Sequence, residues 1–173
     1  MPLLMKHTGP LWGIWKIEEP SEVLLALLQN RKEYLPQLEL IRTEQRRREW
    51  LASRVLLQEL TGGSALIAYH PNGAPYLSGS SLHISISHTK GYAAVLLQDH
   101  PAAGIDIEYR SERVSRIRSR FMNPEEEAGI DKEYETEHLL LHWCAKETLF
   151  KMVGYEEVDF LRHLHVCPFP YAE

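Results

Sequence analysis

Three carboxylates and two lysines in two short segments of this chain have the types and spacing for phosphate chemistry on a divalent cation. Asp106 and Glu108 alternate with isoleucines, and residues two apart in a strand point to the same face. Glu147 follows later in a segment that reads as a helix, with Lys146 and Lys151 beside it. Hard oxygen donors next to ammonium groups suit Mg²⁺ and an anionic phosphate substrate.

The elements that must position these groups follow from the patterning. Short apolar runs separated by turn residues predict strands at 11–17, 65–70, 75–77, 82–87, 92–98 and 103–109, with a final strand at 161–168. The short connections favour hairpins, and hence an antiparallel sheet. Helical spacing of apolar residues predicts helices at 20–28, 43–60, 116–121 and 135–153. The chain is therefore expected to have an α+β fold.

Composition excludes several classes of protein. The 173 residues are 44% hydrophobic and 25% charged, as in ordinary soluble domains. No apolar run approaches the about 20 residues of a membrane span, and no secretory signal is evident, so a cytoplasmic protein without a membrane partner is expected. The two cysteines lack metal-ligand spacing. The net charge of −5 argues against nucleic-acid binding.

The acid strand and the lysine–glutamate helix together resemble the signature of 4′-phosphopantetheinyl transferases, and the region that precedes them resembles the Sfp-like branch. The resemblance implies two pseudo-symmetric halves, each an antiparallel sheet packed with helices, that form one compact unit. It divides the chain into an N-terminal half at 1–103, which contacts coenzyme A phosphates, and a C-terminal half at 104–173 with the metal site. The implied activity is transfer of phosphopantetheine from coenzyme A to a serine of an apo carrier protein, releasing 3′,5′-ADP.

The same resemblance implies roles for individual residues. Glu147 would be the general base, directly or through water, with Lys151 as a second catalytic group, and Mg²⁺ would be held by Asp106, Glu108 and Glu147. Coenzyme A would be bound by Arg48, Ser87, His88, Lys146 and Lys151. Arg54 is a second candidate on the helix of Arg48. Ala74 replaces a lysine common in the family.

Two features leave alternatives open. Arginines at 110–120 would dock an acidic acyl or peptidyl carrier protein, or form an ordinary solvated face. After Lys151 the chain has fewer residues than the Sfp-like pattern, so the C-terminal half looks incomplete and a homodimer is expected. The rival functions are a coenzyme A-binding relative with impaired catalysis and a metal-dependent phosphohydrolase.

Overall fold

The residues that the structure describes form two antiparallel sheets and six α-helices. The structure is a computed structural model that describes residues 2–63, 65–154 and 157–171. Its strands are β1 (Leu3–Thr8), β2 (Leu11–Lys16), β3 (Leu66–Tyr69), β4 (Pro75–Ser78), β5 (His83–Thr89) and β6 (Tyr92–Gln98). Its helices are α1 (Ser21–Leu27), α2 (Arg31–Glu39), α3 (Glu44–Thr61), α4 (Arg113–Ile117), α5 (Pro124–Ala128) and α6 (Glu135–Val153). A 3₁₀ turn at Arg118–Arg120 follows α4.

The main core lies between α3 and a four-stranded sheet of order β1-β2-β6-β5, in which all neighbours are antiparallel. The apolar face of α3 carries Leu51, Val55 and Leu56, which are buried against β2 and β6. Thr43 caps the start of α3, and Gly62 ends it with a φ of +65° that suits glycine. β3 and β4 form a separate hairpin.

A second, smaller core packs beneath α6. It is centred on Val114, Phe121, Met122 and Leu139. The mixture of antiparallel sheets and helices confirms the predicted α+β class. Within the described part of 103–171, however, no residue lies in a strand, so neither the strand predicted at 103–109 nor the one at 161–168 is found.

The segment 103–109 is attached to β5 by side chains rather than by a β-ladder. Backbone N–H groups donate at 3.1–3.2 Å to β5 hydroxyls in three pairs: Ile105 to Ser85, Ile107 to Ser87, and Tyr109 to Thr89. The constant offset of 20 residues means that the segment runs parallel to β5. Hydroxyls at every second position of β5 face the segment and satisfy N–H groups that a neighbouring strand would otherwise take.

No helix among the described residues is long and apolar enough to cross a membrane.

Candidate functional site

Asp106 lies between a β5 hydroxyl and a helix lysine. Ser87 Oγ donates to Asp106 Oδ1 at 2.7 Å, and Lys151 Nζ donates to the same oxygen at 2.8 Å. The second oxygen, Oδ2, is buried and has no hydrogen-bond partner in the part of the chain that the structure describes. Leaving a buried carboxylate oxygen unpaired is unfavourable, so Asp106 lacks one cationic or donor partner.

Glu108 is held at the more exposed end of the same segment. Thr89 Oγ1 donates to its Oε2 at 3.0 Å, and the indole Nε1 of Trp143 donates to its Oε1 at 3.3 Å. Asp106 and Glu108 are thus both fixed by β5 hydroxyls two residues apart. The predicted placement of the two acids on one side of the segment agrees with this geometry.

Gly104 allows the acid segment to lie directly against α6. A Cβ at this position would stand 2.5 Å from the carbonyl oxygen of Thr148 and 2.7 Å from Cγ of Met152. Both distances are shorter than van der Waals contact, so any larger residue would push the segment away from the helix. The first residue of the acid motif therefore sets the distance between Asp106 and the side chains of α6.

Glu147 faces the acid segment from α6. Burial raises the pKa of its carboxyl, and the negative charges of Asp106 and Glu108 raise it further, while Lys151 lowers it. The pKa of the Cys144 thiol is also raised, by burial and then by Asp106, which keeps this cysteine protonated. The three predicted carboxylates are therefore electrostatically coupled with Lys151 as a nearby cation.

This cluster has the donor chemistry for a hard cation. Among the described residues, no group of three or more His, Cys, Asp or Glu side chains is arranged to hold a metal ion. Mg²⁺ commonly takes only one or two carboxylates and completes its shell with water and substrate phosphates. The unpartnered Oδ2 of Asp106 and the raised pKa of Glu147 fit that binding mode.

Lys146 does not reach the cleft, contrary to the prediction that it contacts a coenzyme A phosphate. Its side chain is 0% exposed and donates to Glu126 Oε2 at 2.7 Å. It also donates to the carbonyl oxygens of Phe121 at 2.5 Å and Phe160 at 2.8 Å. These bonds use all three ammonium protons. The lysine joins α6 to the start of α5 and to the C-terminal segment.

Arg48, which the sequence predicts to contact a coenzyme A phosphate, is bonded to two backbone carbonyls. Its Nε donates to the carbonyl oxygen of Glu19 at 2.8 Å, and its NH2 group donates to that of Ile17 at 2.7 Å. The guanidinium therefore fastens the segment after β2 to α3. A planar group with fixed donors is well suited to holding two carbonyls of a turn.

Ser87 and His88 lie where β5 ends, as predicted, but they face different neighbours. Ser87 is committed to Asp106 and Ile107, as described above. His88 Nε2 accepts from the guanidinium of Arg46 and lies 3.5 Å from Glu49 Oε2. Burial, followed by the charge of Arg46, lowers the pKa of His88 and favours its neutral form.

Arg46 and Arg54 line a small basic cleft that the sequence did not predict. The cleft has a volume of about 140 Å³ and is lined by His88, both arginines and Tyr69, among others. The Arg54 guanidinium lies 3.4 Å from the centroid of the Trp50 ring, and its Nε is buried without a partner in the described structure. Arg46, Trp50 and Arg54 are each four residues apart on α3, and this spacing on one helix face is the sequence pattern that could have predicted the cleft.

Two larger clefts flank β5. One, of about 560 Å³, is lined by His88, Glu108 and Trp143, among others. The other, of about 320 Å³, includes Lys151 and Tyr76. Together with the basic cleft they place cationic and carboxylate groups along one strand, which is an arrangement suited to an extended anionic ligand with a bound cation.

Sequence comparisons point to the same class of protein. Residues 102–171 match the model of the 4′-phosphopantetheinyl transferase superfamily, ACPS. Over 115 residues the chain is 30% identical to the 4′-phosphopantetheinyl transferase AcpT of Salmonella typhimurium. That alignment covers 63% of this chain and 60% of the relative, so the chain spans less than two thirds of the relative's length. The match is to the superfamily, and assignment to the Sfp-like branch stays a prediction.

Proposed function

We propose that this protein is a magnesium-dependent transferase that moves 4′-phosphopantetheine from coenzyme A to a serine of an apo carrier protein. The observation that carries the proposal is the buried Oδ2 of Asp106, which has no partner within the described structure and lies in a cluster with Glu147 and Lys151. The match of residues 102–171 to the transferase superfamily supports it.

The reaction exchanges one phosphorus–oxygen bond for another. The carrier serine oxygen forms a bond to the phosphorus that bears pantetheine, and the bond from that phosphorus to the bridging oxygen breaks. The electron pair leaves on 3′,5′-ADP, and the serine proton passes to Glu147 through a water. A positioned general base of this kind typically contributes about 10²–10⁴ in rate, because a serine hydroxyl is a poor nucleophile.

The cation would be held by Asp106 and Glu108, with Glu147 as the third carboxylate of the cluster. When bound, Mg²⁺ would offset the negative charge that develops on the leaving nucleotide. The β5 hydroxyls of Ser87 and Thr89 would keep the two acids in position throughout, because each donates to one of them.

The groups that would contact the anionic parts of coenzyme A differ from those that the sequence predicts. Lys151 lines one cleft, and Arg46 lines the basic cleft with the neutral His88, while Arg54 is buried in its wall and contributes charge. Lys146 is left out of the proposal because its three ammonium protons go to Glu126 and two carbonyls, and Arg48 because its Nε and one NH2 group are donated to the carbonyls of Glu19 and Ile17. Ser87 contributes through Asp106 rather than through a phosphate.

An acidic carrier protein is the partner that the surface charge favours. Arg110 and Arg118 are occupied by ion pairs with Glu137 and with Glu127 and Glu135. Arg113, Arg116 and Arg120 are exposed in the same stretch. These three arginines would steer acidic carrier residues toward the adjoining cleft, which Arg113 lines.

The test is incubation of the protein with coenzyme A, Mg²⁺ and a panel of apo carrier proteins, followed by intact-mass analysis. We expect the phosphopantetheine mass increment on at least one carrier. The D106N variant should lose about a hundredfold or more in rate, whereas D99N, at an exposed site, should match the native protein. A folded protein that modifies no carrier contradicts the proposal.

The same assay separates two other functions. The ion pair between Lys151 and Asp106 occupies a predicted catalytic group and a predicted metal ligand, and so favours a relative that binds coenzyme A without turning it over. Calorimetric binding of coenzyme A with no mass increment on any carrier would select that function. Release of 3′,5′-ADP in the absence of a carrier would instead select a phosphohydrolase.

The protein is further proposed to form a homodimer. Leu141, Val153 and Leu161 are large apolar side chains that are 38–53% exposed near α6. Burying such side chains between two copies of the chain would remove apolar surface from water. Light scattering at micromolar concentration should give twice the monomer mass, and L141E should shift the protein toward the monomer. A native protein that stays monomeric contradicts the dimer.

A further inference from the structure

Lys151 occupies the acid cluster as an internal cation. Its Nζ donates to Asp106 Oδ1 at 2.8 Å and to the carbonyl oxygen of Ile105 at 2.9 Å. The side chains of Lys151 and Asp106 are 13% and 7% exposed, so solvent screens this pair only weakly. The lysine therefore neutralises the carboxylate that a divalent cation would need.

Lys151 also lies beside a cleft that its ammonium group can enter. The residue lies in the last turn of α6 and lines the cleft of about 320 Å³ beside Ser85 and Tyr76. A lysine ammonium is a compact charge on a flexible four-carbon stem, so it can move between neighbouring partners while its backbone stays fixed. An anionic group in this cleft would attract it away from Asp106.

Two cations on one carboxylate repel each other. A divalent ion bound at Asp106 would face the Lys151 ammonium across a weakly screened site. The ion must then bind against that repulsion, or the lysine must leave. A phosphate in the adjoining cleft lowers the free energy needed for Lys151 to leave Asp106, because it gives the lysine a new counter-ion.

We propose that Lys151 is an exchangeable counter-ion: in the free protein it competes with the divalent cation for Asp106, and an anionic substrate draws it away. Cation and substrate then bind cooperatively, each promoting the other by the same factor. The inference rests on the proposed function, because it takes the cation and the phosphate-bearing substrate from there.

The test measures the Kd of Mg²⁺ alone by calorimetry, with and without saturating coenzyme A. Without coenzyme A, we expect K151M and K151Q to bind Mg²⁺ at least tenfold more tightly than the native protein. K151Q retains a donor for Ile105 and Asp106, which supports folding if K151M does not fold. K151R keeps the charge and should bind Mg²⁺ as the native protein does.

The matched control is K90M, which removes the same charge from an exposed lysine that lines the neighbouring cleft. It should change the Kd of Mg²⁺ less than threefold. With coenzyme A present, the native protein and K151Q should have similar Kd values for Mg²⁺. The enhancement of Mg²⁺ binding by coenzyme A should therefore be about tenfold smaller in K151Q.

The possible outcomes distinguish failure of this inference from failure of the proposed function. If K151M and K151Q both bind Mg²⁺ as the native protein does, or more weakly, Lys151 does not compete and the inference fails. Carrier modification by the native protein would still stand in that case. If neither the native protein nor the variants bind Mg²⁺ with or without coenzyme A, both the inference and the proposed magnesium dependence fail.

Discussion

Lys146 illustrates how burial decides the role of a charged residue. Its ammonium is paired with Glu126, whose side chain is also 0% exposed and accepts from the backbone N–H groups of Asn123 and Val166. Two buried charges of opposite sign with all their bonds made are tolerated, but either one alone is not. The pair fixes α6, and therefore the adjacent Glu147, relative to α5 and the C-terminal segment.

We predict that K146M destabilises the protein by about 3–5 kcal/mol, because Glu126 is then left buried and unpaired. The K146M/E126Q double variant should recover a large part of that loss. Urea unfolding followed by circular dichroism measures both. K132M, at an exposed lysine, is the control and should lie within about 0.5 kcal/mol of the native protein. A loss in K146M no larger than that of the K132M control would contradict the structural role of Lys146.

Glu147 presents the opposite case, a carboxylate whose charge disfavours the folded state. Its pKa is raised from 4.5, so the folded state binds the carboxyl proton more tightly than the unfolded chain does. The stabilisation that results is complete below pH 4.5 and is lost as the pH rises through the folded-state pKa. In EDTA, E147Q should therefore be more stable than the native protein at neutral pH, by less than about 1 kcal/mol after solvent screening.

The pH dependence identifies the cause of this effect. The advantage of E147Q in thermal unfolding should shrink as the pH is lowered from 8 toward 4, since the native carboxyl then binds a proton. Mg²⁺ should raise the Tm of the native protein more than that of E147Q. An advantage that is independent of pH would mean that the charge of Glu147 is not responsible.

At the scale of elements, the acid segment is positioned from two sides. β5 supplies hydroxyls to its backbone, and α6 approaches Gly104 so closely that only a hydrogen fits. Neither contact alone fixes the distance from Asp106 to Lys151. The segment therefore depends on the spacing of the β5 hydroxyls and on the absence of a side chain at one residue.

We predict that G104A costs about 1–3 kcal/mol or more, because its Cβ would lie 2.5 Å from a backbone oxygen of α6 that cannot easily move. It should also weaken Mg²⁺ binding by moving Asp106. G63A is the matched control, since the nearest atom to its Cβ would be 3.7 Å away. Equal stability of the two variants in urea unfolding would contradict the close approach.

Across the whole molecule, the sequence predicted the helices and strands better than the contacts between them. The bounds of α6 are confirmed because its periodic apolar residues and Gly154 are local signals. The pairing of 103–109 with hydroxyls of β5 was not predictable, because alternating hydroxyls in a strand do not indicate which other segment they will contact. The burial of Lys146 depends on Glu126 and Phe160, which become neighbours only in the folded chain.

Histidines in the C-terminal part connect the stability of the whole molecule to pH. His142 is 2% exposed and lies 5.0 Å, centroid to centroid, from Phe169 of the C-terminal segment. Burial is the main cause of its lowered pKa, to which His138 and Lys146 add, while a bond to the carbonyl oxygen of His138 and the charge of Glu126 oppose it. The folded state therefore favours the neutral ring.

We predict that the free energy of unfolding falls as the pH drops below about 6.5, where His142 binds a proton in the unfolded chain but not in the folded one. His88, whose pKa is also lowered, contributes in the same direction. The loss is complete below the folded-state pKa values.

In H142N, which retains a donor for the carbonyl oxygen of His138, the slope of the free energy of unfolding against pH between pH 7 and 5 should be shallower by up to about 1.4 kcal/mol per pH unit. H83Q, at an exposed histidine, should keep the native slope in urea unfolding at each pH, and an unchanged slope in H142N would exclude His142 as the titrating group.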